Sequence, residues 1–275
     1  MFYYGCPLYI GSLILLPVIA AACWAFLRKR SEKTRLWVVL GLMLINLLQH
    51  FFKTLIYPQY ADIGVNHLFS AYNMCATLII LAPFAMLSKN SFLKNFVFFT
   101  GTVAGFAAIA VPYWFIGEPL SELGWEYFRF YFCHGLLFVS SLMPLLLGLH
   151  RPRFRDFWQV SIGFFMGLLI ILVNDFLCLS MGLYPGRDVH DFYKLMAASN
   201  PCGMMGPKGP GWILDIVKIF SPAFFLGNNP AGLYVPILWY AIPLFLGLNL
   251  IACPLFAVID REGFQAFLSK FKKKS

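Results

Sequence analysis

Seven long apolar stretches divide the chain almost from end to end. They are uninterrupted by alternating polar residues, and they lie at 8–27, 36–57, 67–87, 95–116, 128–148, 157–182 and 234–257. A helix crosses the ~30 Å hydrocarbon core of a bilayer in about 20 residues. The pattern therefore predicts an all-α, polytopic membrane protein whose residues 1–260 form a domain of seven transmembrane helices.

Composition narrows the class of protein further. Hydrophobic residues make up 60% of the 275 residues and charged residues only 12%, whereas a soluble domain carries about 25% charged residues. A soluble globular protein, a disordered chain and a coiled coil are excluded. The net charge of +9 does not indicate a nucleic-acid partner, because the basic residues lie between the apolar stretches rather than on one face.

The basic residues also predict an orientation. They are concentrated in alternate connecting segments, at 28–35, 89–94, 151–155 and 261–274. Cytoplasmic loops carry the excess of Lys and Arg, so we expect the N-terminus outside and the C-terminus inside. The tail at 261–275 combines Phe with Lys, which predicts a basic amphipathic helix that binds anionic lipids of the inner leaflet. The membrane would be the plasma membrane of a bacterium or the endoplasmic reticulum of a eukaryote.

The longest segment outside the apolar stretches is 183–233. It contains a run rich in Gly and Pro at 200–211, followed by an apolar stretch at 212–220. Loops of this length are usually functional or disordered, and the apolar content argues against disorder. We interpret the segment as an outer lid over a pocket, with a plain packing loop as the alternative.

Polar residues recur at one depth in four of the predicted helices. Counting 1.5 Å per residue from the predicted outer ends places them about 9–12 Å into the bilayer; they are Gln49, His50, Asn73, Cys75, His134, Asn174 and Asp175. Polar side chains at such depth usually face the interior of a bundle. The pattern predicts one outward-facing pocket for chemistry or binding.

Within this set, Cys75 and His134 could serve as nucleophile and base, because an imidazole can accept the proton of a thiol. Gln49 and His50 would line the pocket. A buried carboxylate needs a partner. His50, His134 or Lys53 could be the partner of the Asp175 carboxylate. The remaining candidates would orient the imidazole or stabilise an oxyanion; they are Asn73, Asn174, Asp175 and Asn200.

Each of these residues also has a simpler interpretation. A lone Cys in a membrane helix is usually a small hydrophobic residue, and a lone His often bonds a neighbouring carbonyl. No His-x-x-x-His or Cys-x-x-Cys spacing occurs, so we expect no metal and no cofactor. A disulfide between Cys6 and Cys202 would need an oxidising compartment, and the sequence leaves it open.

Several motifs between residues 65 and 245 resemble those of the YwaF-like integral membrane proteins of bacteria and their eukaryotic relatives, the transmembrane protein 164 family. They are Tyr72-Asn-Met-Cys75, Ser88-Lys-Asn-Ser-Phe-Leu93, Phe128-Arg-Phe-Tyr-Phe-Cys-His-Gly135, Asn174, and Asn200 with Trp212-Ile-Leu-Asp215 ahead of Ser221-Pro222. The eukaryotic relatives are described as acyltransferases that build polyunsaturated ether phospholipids with an essential membrane Cys. The resemblance implies that Cys75 carries an acyl thioester and that His134 is the base. It also implies a membrane phospholipid as acyl donor and a lyso-lipid as acceptor.

Two other functions use the same residues. In a non-enzymatic receptor or small-solute transporter, Asp175 would be a counter-ion or a proton-coupled group in the same pocket. In a structural membrane protein, the polar band would only join helices by hydrogen bonds. A phospholipid acyltransferase or transacylase is the hypothesis that we carry forward.

Overall fold

The computed structural model describes residues 1–56, 69–112, 115–119, 124–184, 186–207, 211–229 and 233–272. Within these ranges the chain folds into α-helices, short 3₁₀ turns and loops. The α-helices are α1 (Pro7–Leu27), α2 (Glu32–Ile56), α3 (Met74–Leu87), α4 (Ser91–Ala110), α5 (Gly124–Leu146), α6 (Gln159–Ser180), α7 (Phe192–Ser199), α8 (Gly211–Phe220), α9 (Ala241–Ile259) and α10 (Arg261–Lys272).

Six of these segments are long and apolar enough to cross a membrane. They contain α1, α2, α4, α5, α6 and α9. The prediction of an all-α membrane protein is confirmed, and six of the seven predicted spans correspond to these helices. The predicted orientation of the termini remains a prediction.

The third predicted span, 67–87, is shorter than expected. Its helix, α3, has 14 residues, which corresponds to about 21 Å and is less than the ~30 Å hydrocarbon core. The described residues 69–73 precede the α-helix, whereas residues 57–68, including the predicted start of the span, lie outside the described residues. A seventh full-length helix is therefore not part of the described structure.

The first of two compact units consists of residues 1–64 and 78–151. Its central helix, α5, packs against α1, α2 and α4. Gly105 allows α4 to approach α5 closely, because a Cβ atom at this position would lie only 2.8 Å from the carbonyl oxygen of His134 and 2.7 Å from the backbone nitrogen of Phe138. The close contact fixes the backbone on which His134 is carried.

The second compact unit consists of residues 65–77 and 152–275. Its helix α6 packs against α9, and α10 folds back onto the short turn at Phe154–Asp156. The rings of Phe264 and Phe267 contact Phe154, and the Asp260 carboxylate accepts a 2.7 Å hydrogen bond from the Phe154 N–H. The tail is a helix over the described residues, and its Phe267 and Leu268 side chains remain partly exposed. Its binding to anionic lipids remains a prediction.

The predicted lid, 183–233, contains the short helices α7 and α8. Between them, Asn200 and Cys202 adopt positive φ angles of 37° and 54°. Helix α8 has Asp215 and Lys218 on its exposed side, where they form a 3.2 Å ion pair. The role of the segment as a lid remains a prediction.

Candidate functional site

The predicted site residues are divided between the two units. Gln49, His50 and His134 belong to the first unit, and the others belong to the second; these are Asn73, Cys75, Asn174, Asp175 and Asn200. The pairing of Cys75 with His134 remains a prediction from the sequence.

In the first unit, α2 carries a buried polar stripe. Asn46, Gln49, His50 and Lys53 follow the i, i+3, i+4, i+7 spacing of one helix face, and all four are buried. The Asn46 amide donates to the Cys133 carbonyl of α5 at 3.1 Å, and the Gln49 amide donates to the Asn46 side-chain oxygen at 2.9 Å. The stripe therefore joins α2 to α5. Its spacing could have predicted Asn46 as a member.

The stripe ends in a group of charged residues. Lys53 is only 2% exposed and interacts electrostatically with Arg129 and Glu126 of α5. The Arg129 guanidinium donates two hydrogen bonds to the Glu126 carboxylate, one of them from Nε at 2.8 Å. The side chains of Lys53, Arg129 and Glu126 therefore interact at the end of the stripe.

His134 lies on α5 in the same unit. Its Nδ1 atom is 2.8 Å from the carbonyl oxygen of Phe130. A carbonyl can only accept, so Nδ1 carries the proton and Nε2 holds the lone pair of the neutral ring. The bond is what a simple structural His would make. It also fixes the tautomer whose Nε2 can accept a proton from another group.

In the second unit, Asn73 caps the start of α3. Its side-chain oxygen accepts a 2.9 Å hydrogen bond from the Ala76 N–H, and its carbonyl accepts from the N–H of Thr77. The prediction that Asn73 and Cys75 lie well inside a helix beginning near residue 67 was wrong. The short polar side chain of Asn competes with the helical backbone and favours the capping position. Cys75 is therefore the second residue of α3, and it is half-buried.

Helix α6 holds the segment that precedes α3. The Asn174 side-chain oxygen accepts from the Ala71 N–H at 3.1 Å, and its amide donates to the Ser70 hydroxyl at 3.0 Å and to the Asp175 carboxylate at 3.3 Å. The Tyr184 hydroxyl donates to the same carboxylate at 3.0 Å. Asp175 thus has Tyr184 and Asn174 as partners. The sequence analysis missed Tyr184, since no spacing relates it to α6.

The Asn200 side chain forms two hydrogen bonds within its own loop. Its amide donates to the Gly206 carbonyl at 3.0 Å, and its side-chain oxygen accepts from the Met205 N–H at 2.8 Å. These bonds hold the 200–206 loop so that the Cys202 thiol lies beside the backbone N–H of Met74, at the start of α3. No spacing in the sequence had pointed to Cys202 as a neighbour of α3.

Comparison with known proteins gives the family. A sequence model described as the TMEM164 family matches residues 4–259, which is most of the chain. The chain belongs to the TMEM164 family. No curated protein and no solved structure was found to match it. The TMEM164 match includes every candidate site residue, and it agrees with the six apolar helices in identifying a multi-pass membrane protein.

The start of α3 is the part of this TMEM164-family chain that is best suited to chemistry. The first N–H groups of a helix have no partner within the helix, and they form the positive end of its dipole. A thiolate or an oxyanion is stabilised there. Cys75 lies in this first turn, and Asn73 precedes it as the cap. None of the seven cysteines, all of which lie in the described ranges, forms a disulfide, so Cys6 and Cys202 are both thiols.

Proposed function

We propose that this TMEM164-family protein is a phospholipid acyltransferase or transacylase with Cys75 as its nucleophile. The observation that carries the proposal is the position of Cys75 in the first turn of α3, where the helix start favours the thiolate. The resemblance of the sequence to relatives with an essential membrane Cys supports the same residue. The membrane would be the endoplasmic reticulum of a eukaryote or the plasma membrane of a bacterium.

The proposed reaction has two steps. The Cys75 sulfur attacks the ester carbonyl of a donor phospholipid, a C–S bond forms, the ester C–O bond breaks, and the lyso-lipid leaves with a proton. The hydroxyl of an acceptor lyso-lipid then attacks the thioester, an ester forms, and the thiol of Cys75 is regenerated. A covalent intermediate of this kind divides one difficult step into two easier ones.

His134 is the proposed base. It would accept the thiol proton and give it to the leaving alkoxide, then accept the proton of the acceptor hydroxyl. The hydrogen bond from its Nδ1 to Phe130 supports this role, because it leaves the Nε2 lone pair to accept protons.

Asn73 and Asn174 would act in different ways. The Asn73 side-chain oxygen is occupied as a cap, so its amide nitrogen is the group that could donate to an oxyanion. Asn174 already donates to Ser70 and Asp175. It is therefore a positioning residue that holds the segment in front of Cys75.

The test is acyl transfer by purified protein in nanodiscs. Arachidonoyl phosphatidylcholine would be the donor and an ether lysophosphatidylethanolamine the acceptor, with products measured by mass spectrometry. Cys75→Ala should abolish both transfer and a hydroxylamine-sensitive acyl label on the protein. The matched control is Cys253→Ala, which removes another half-buried cysteine of the second unit and should retain both.

Two results would contradict the proposal. Transfer by Cys75→Ala at the wild-type rate would remove the nucleophile. Binding of lipid or solute by the wild-type protein without any transfer would favour the receptor or transporter hypothesis instead. For the base, His134→Gln should slow formation of the thioester, whereas an unchanged rate would exclude His134 from that role.

A further inference from the structure

Asp175 is a buried carboxylate of α6 to which the proposed reaction assigns no step. The residue is only 3% exposed, and its Oδ1 atom accepts two hydrogen bonds. The Tyr184 hydroxyl donates to Oδ1 at 3.0 Å, and the Asn174 amide donates to the same atom at 3.3 Å. Ionisable residues inside membrane helices are costly to bury and usually mark a functional site. The position of Asp175 therefore points to a role in the function of the second unit.

The Asn174 amide links this carboxylate to the segment before α3. Its oxygen accepts from the Ala71 N–H at 3.1 Å, and its nitrogen also donates to the Ser70 hydroxyl at 3.0 Å. The Ala71 N–H can only donate, so the oxygen of Asn174 faces Ala71 and the nitrogen faces Ser70 and Asp175. By accepting from this nitrogen, the Asp175 carboxylate favours the amide orientation that holds Ala71.

Tyr184 in turn restrains the carboxylate. It lies four residues beyond the end of α6 and is 8% exposed, in a small buried cluster with Cys178 and Leu179. Because its ring packs in this cluster, its hydroxyl reaches Asp175 from a fixed position. Rotation of the carboxylate would break that hydrogen bond, so the Oδ1 atom stays directed towards Asn174.

This series of hydrogen bonds ends close to the proposed nucleophile. Ala71 is followed by Tyr72 and then by Asn73, whose side-chain oxygen caps α3 by accepting from the Ala76 N–H at 2.9 Å. Cys75 lies in the same first turn of α3. Because a single residue separates the held backbone at Ala71 from the cap, displacement of Ala71 would move the start of α3 and the Cys75 thiol with it.

We propose that Asp175, held by Tyr184, is a positioning residue for the Cys75 thiol and that it acts through Asn174. The inference rests on the proposed function and adds to it two residues that determine where the nucleophile lies. A displacement of about 1 Å at a reacting group can lower a rate by about 100-fold. Loss of this restraint therefore affects the rate of attack on the ester, whereas binding of the donor lipid does not need such alignment.

The first readout is the rate of thioester formation on the full-length protein in nanodiscs, measured over a range of mole fractions of donor phospholipid. Asp175→Leu keeps the branched shape of the side chain and removes both acceptor oxygens. It should lower the rate at saturating donor by about tenfold and leave the half-saturating mole fraction unchanged. Tyr184→Phe retains the aromatic ring and should have a smaller effect in the same direction. A wild-type rate in Asp175→Leu protein would overturn the inference.

A double-mutant cycle tests whether Asp175 acts through Asn174. Asn174→Leu removes the hydrogen bonds to Ser70 and Ala71 directly. If Asp175 acts by orienting the Asn174 amide, the variant with both substitutions should form the thioester no more slowly than Asn174→Leu alone. Rate losses that multiply in the double variant would show that Asp175 acts independently of Asn174 and would overturn the assignment.

The matched control is another carboxylate of the same unit. Asp260 accepts from the Phe154 N–H at 2.7 Å and from the Gly263 N–H at 3.1 Å, and these bonds hold the start of α10. Asp260→Leu also removes a carboxylate that accepts two hydrogen bonds, so it should lower the midpoint of thermal unfolding but leave the rate of thioester formation unchanged. If both Leu variants lose rate in equal proportion, the effect of Asp175 is one of stability only, and the inference is overturned.

Hydrogen–deuterium exchange gives a readout that does not depend on activity. The Ala71 and Ala76 N–H groups are bonded to Asn174 and Asn73. Asp175→Leu should raise the exchange rate over residues 70–76 by about fivefold, as expected when one hydrogen bond is lost, and Asp260→Leu should not. Unchanged exchange in this segment would contradict the inference and leave the proposed function standing. Absence of a thioester on the wild-type protein would instead refute the proposed function itself.

Discussion

Polar side chains are buried in both compact units, but the two sets are built differently. In the first unit, the α2 stripe faces α5 and ends at Lys53, near Arg129 and Glu126. In the second, Asn174 and Asp175 of α6 receive hydrogen bonds from residues of non-helical segments. The first set therefore joins two helices and includes charged side chains of both, whereas the second ties loops to one helix with neutral donors.

The difference separates structural roles from chemical ones. The Asn46 bond to the Cys133 carbonyl joins two helices, as the hypothesis of a structural polar band requires. The Asn174 bond to Ala71 instead positions the backbone in front of Cys75. Only the second set lies in the same unit as Cys75, the proposed nucleophile, so the two sets should respond differently when a partner is removed.

The largest expected effect is on the charged set of the first unit. Glu126→Gln removes the carboxylate that accepts two hydrogen bonds from the Arg129 guanidinium. Loss of one partner of a buried ion pair costs about 3–5 kcal/mol, and the partial exposure of Glu126 reduces this to about 2 kcal/mol. The free energy of unfolding in detergent micelles is the measurement.

The control for this variant is Lys53→Met, which removes the Lys53 ammonium and leaves the Arg129–Glu126 pair intact. Its loss of stability should be clearly smaller than that of Glu126→Gln. Equal stability of the two variants would show that the Arg129–Glu126 pair does not determine the stability of the first unit.

The features predicted correctly from the sequence are those that depend on long apolar helices. Continuous apolar stretches gave α1, α2, α4, α5, α6 and α9, because a span needs little beyond length and hydrophobicity. Helix periodicity likewise made the burial of Gln49 and His50 predictable. These two residues were assigned to a pocket, and the structure places them on the buried α2 stripe.

The features that the sequence did not predict are those that depend on loops. The start of α3 was misplaced because a hydropathy stretch has no sharp boundary, whereas the cap at Asn73 depends on one hydrogen bond. The partners of Asn174 are more than 100 positions away in sequence, and Cys202 approaches Met74 from a loop. Contacts of this kind leave no periodic pattern, so only the folded backbone reveals them.

A smaller effect is expected in the second unit. Tyr184→Phe removes the hydroxyl that donates to Asp175 and leaves Asn174 as a donor to the same carboxylate. The expected loss is about 1 kcal/mol in the free energy of unfolding, the typical net contribution of one hydrogen bond. A double-mutant cycle with Asp175→Asn measures the coupling directly. Additive losses of the two variants would contradict the hydrogen bond between Tyr184 and Asp175. A loss for Tyr184→Phe as large as that for Glu126→Gln would remove the distinction between the two units.

The smallest expected effect concerns a third buried contact, which lies in the first unit but outside the membrane-crossing helices. His150 bonds the Asn95 side chain at 2.7 Å. Burial, reinforced by the nearby Lys94, lowers the pKa of His150 from 6.5 to about 4. The folded protein therefore keeps the ring neutral while the unfolded chain takes up a proton. The resulting stability is complete above about pH 6.5 and is lost as the pH falls towards 4.

Between pH 7.5 and pH 6 this loss should stay below ~1 kcal/mol, and it should steepen at lower pH. The measurement is the midpoint of thermal unfolding in detergent as a function of pH, for wild type and for His150→Gln. The variant keeps a hydrogen-bonding side chain but cannot titrate, so its profile should be flatter between pH 6.5 and pH 4. Parallel profiles would show that acid sensitivity comes from other groups, and the charged set at Lys53 would then be the first place in that unit to examine.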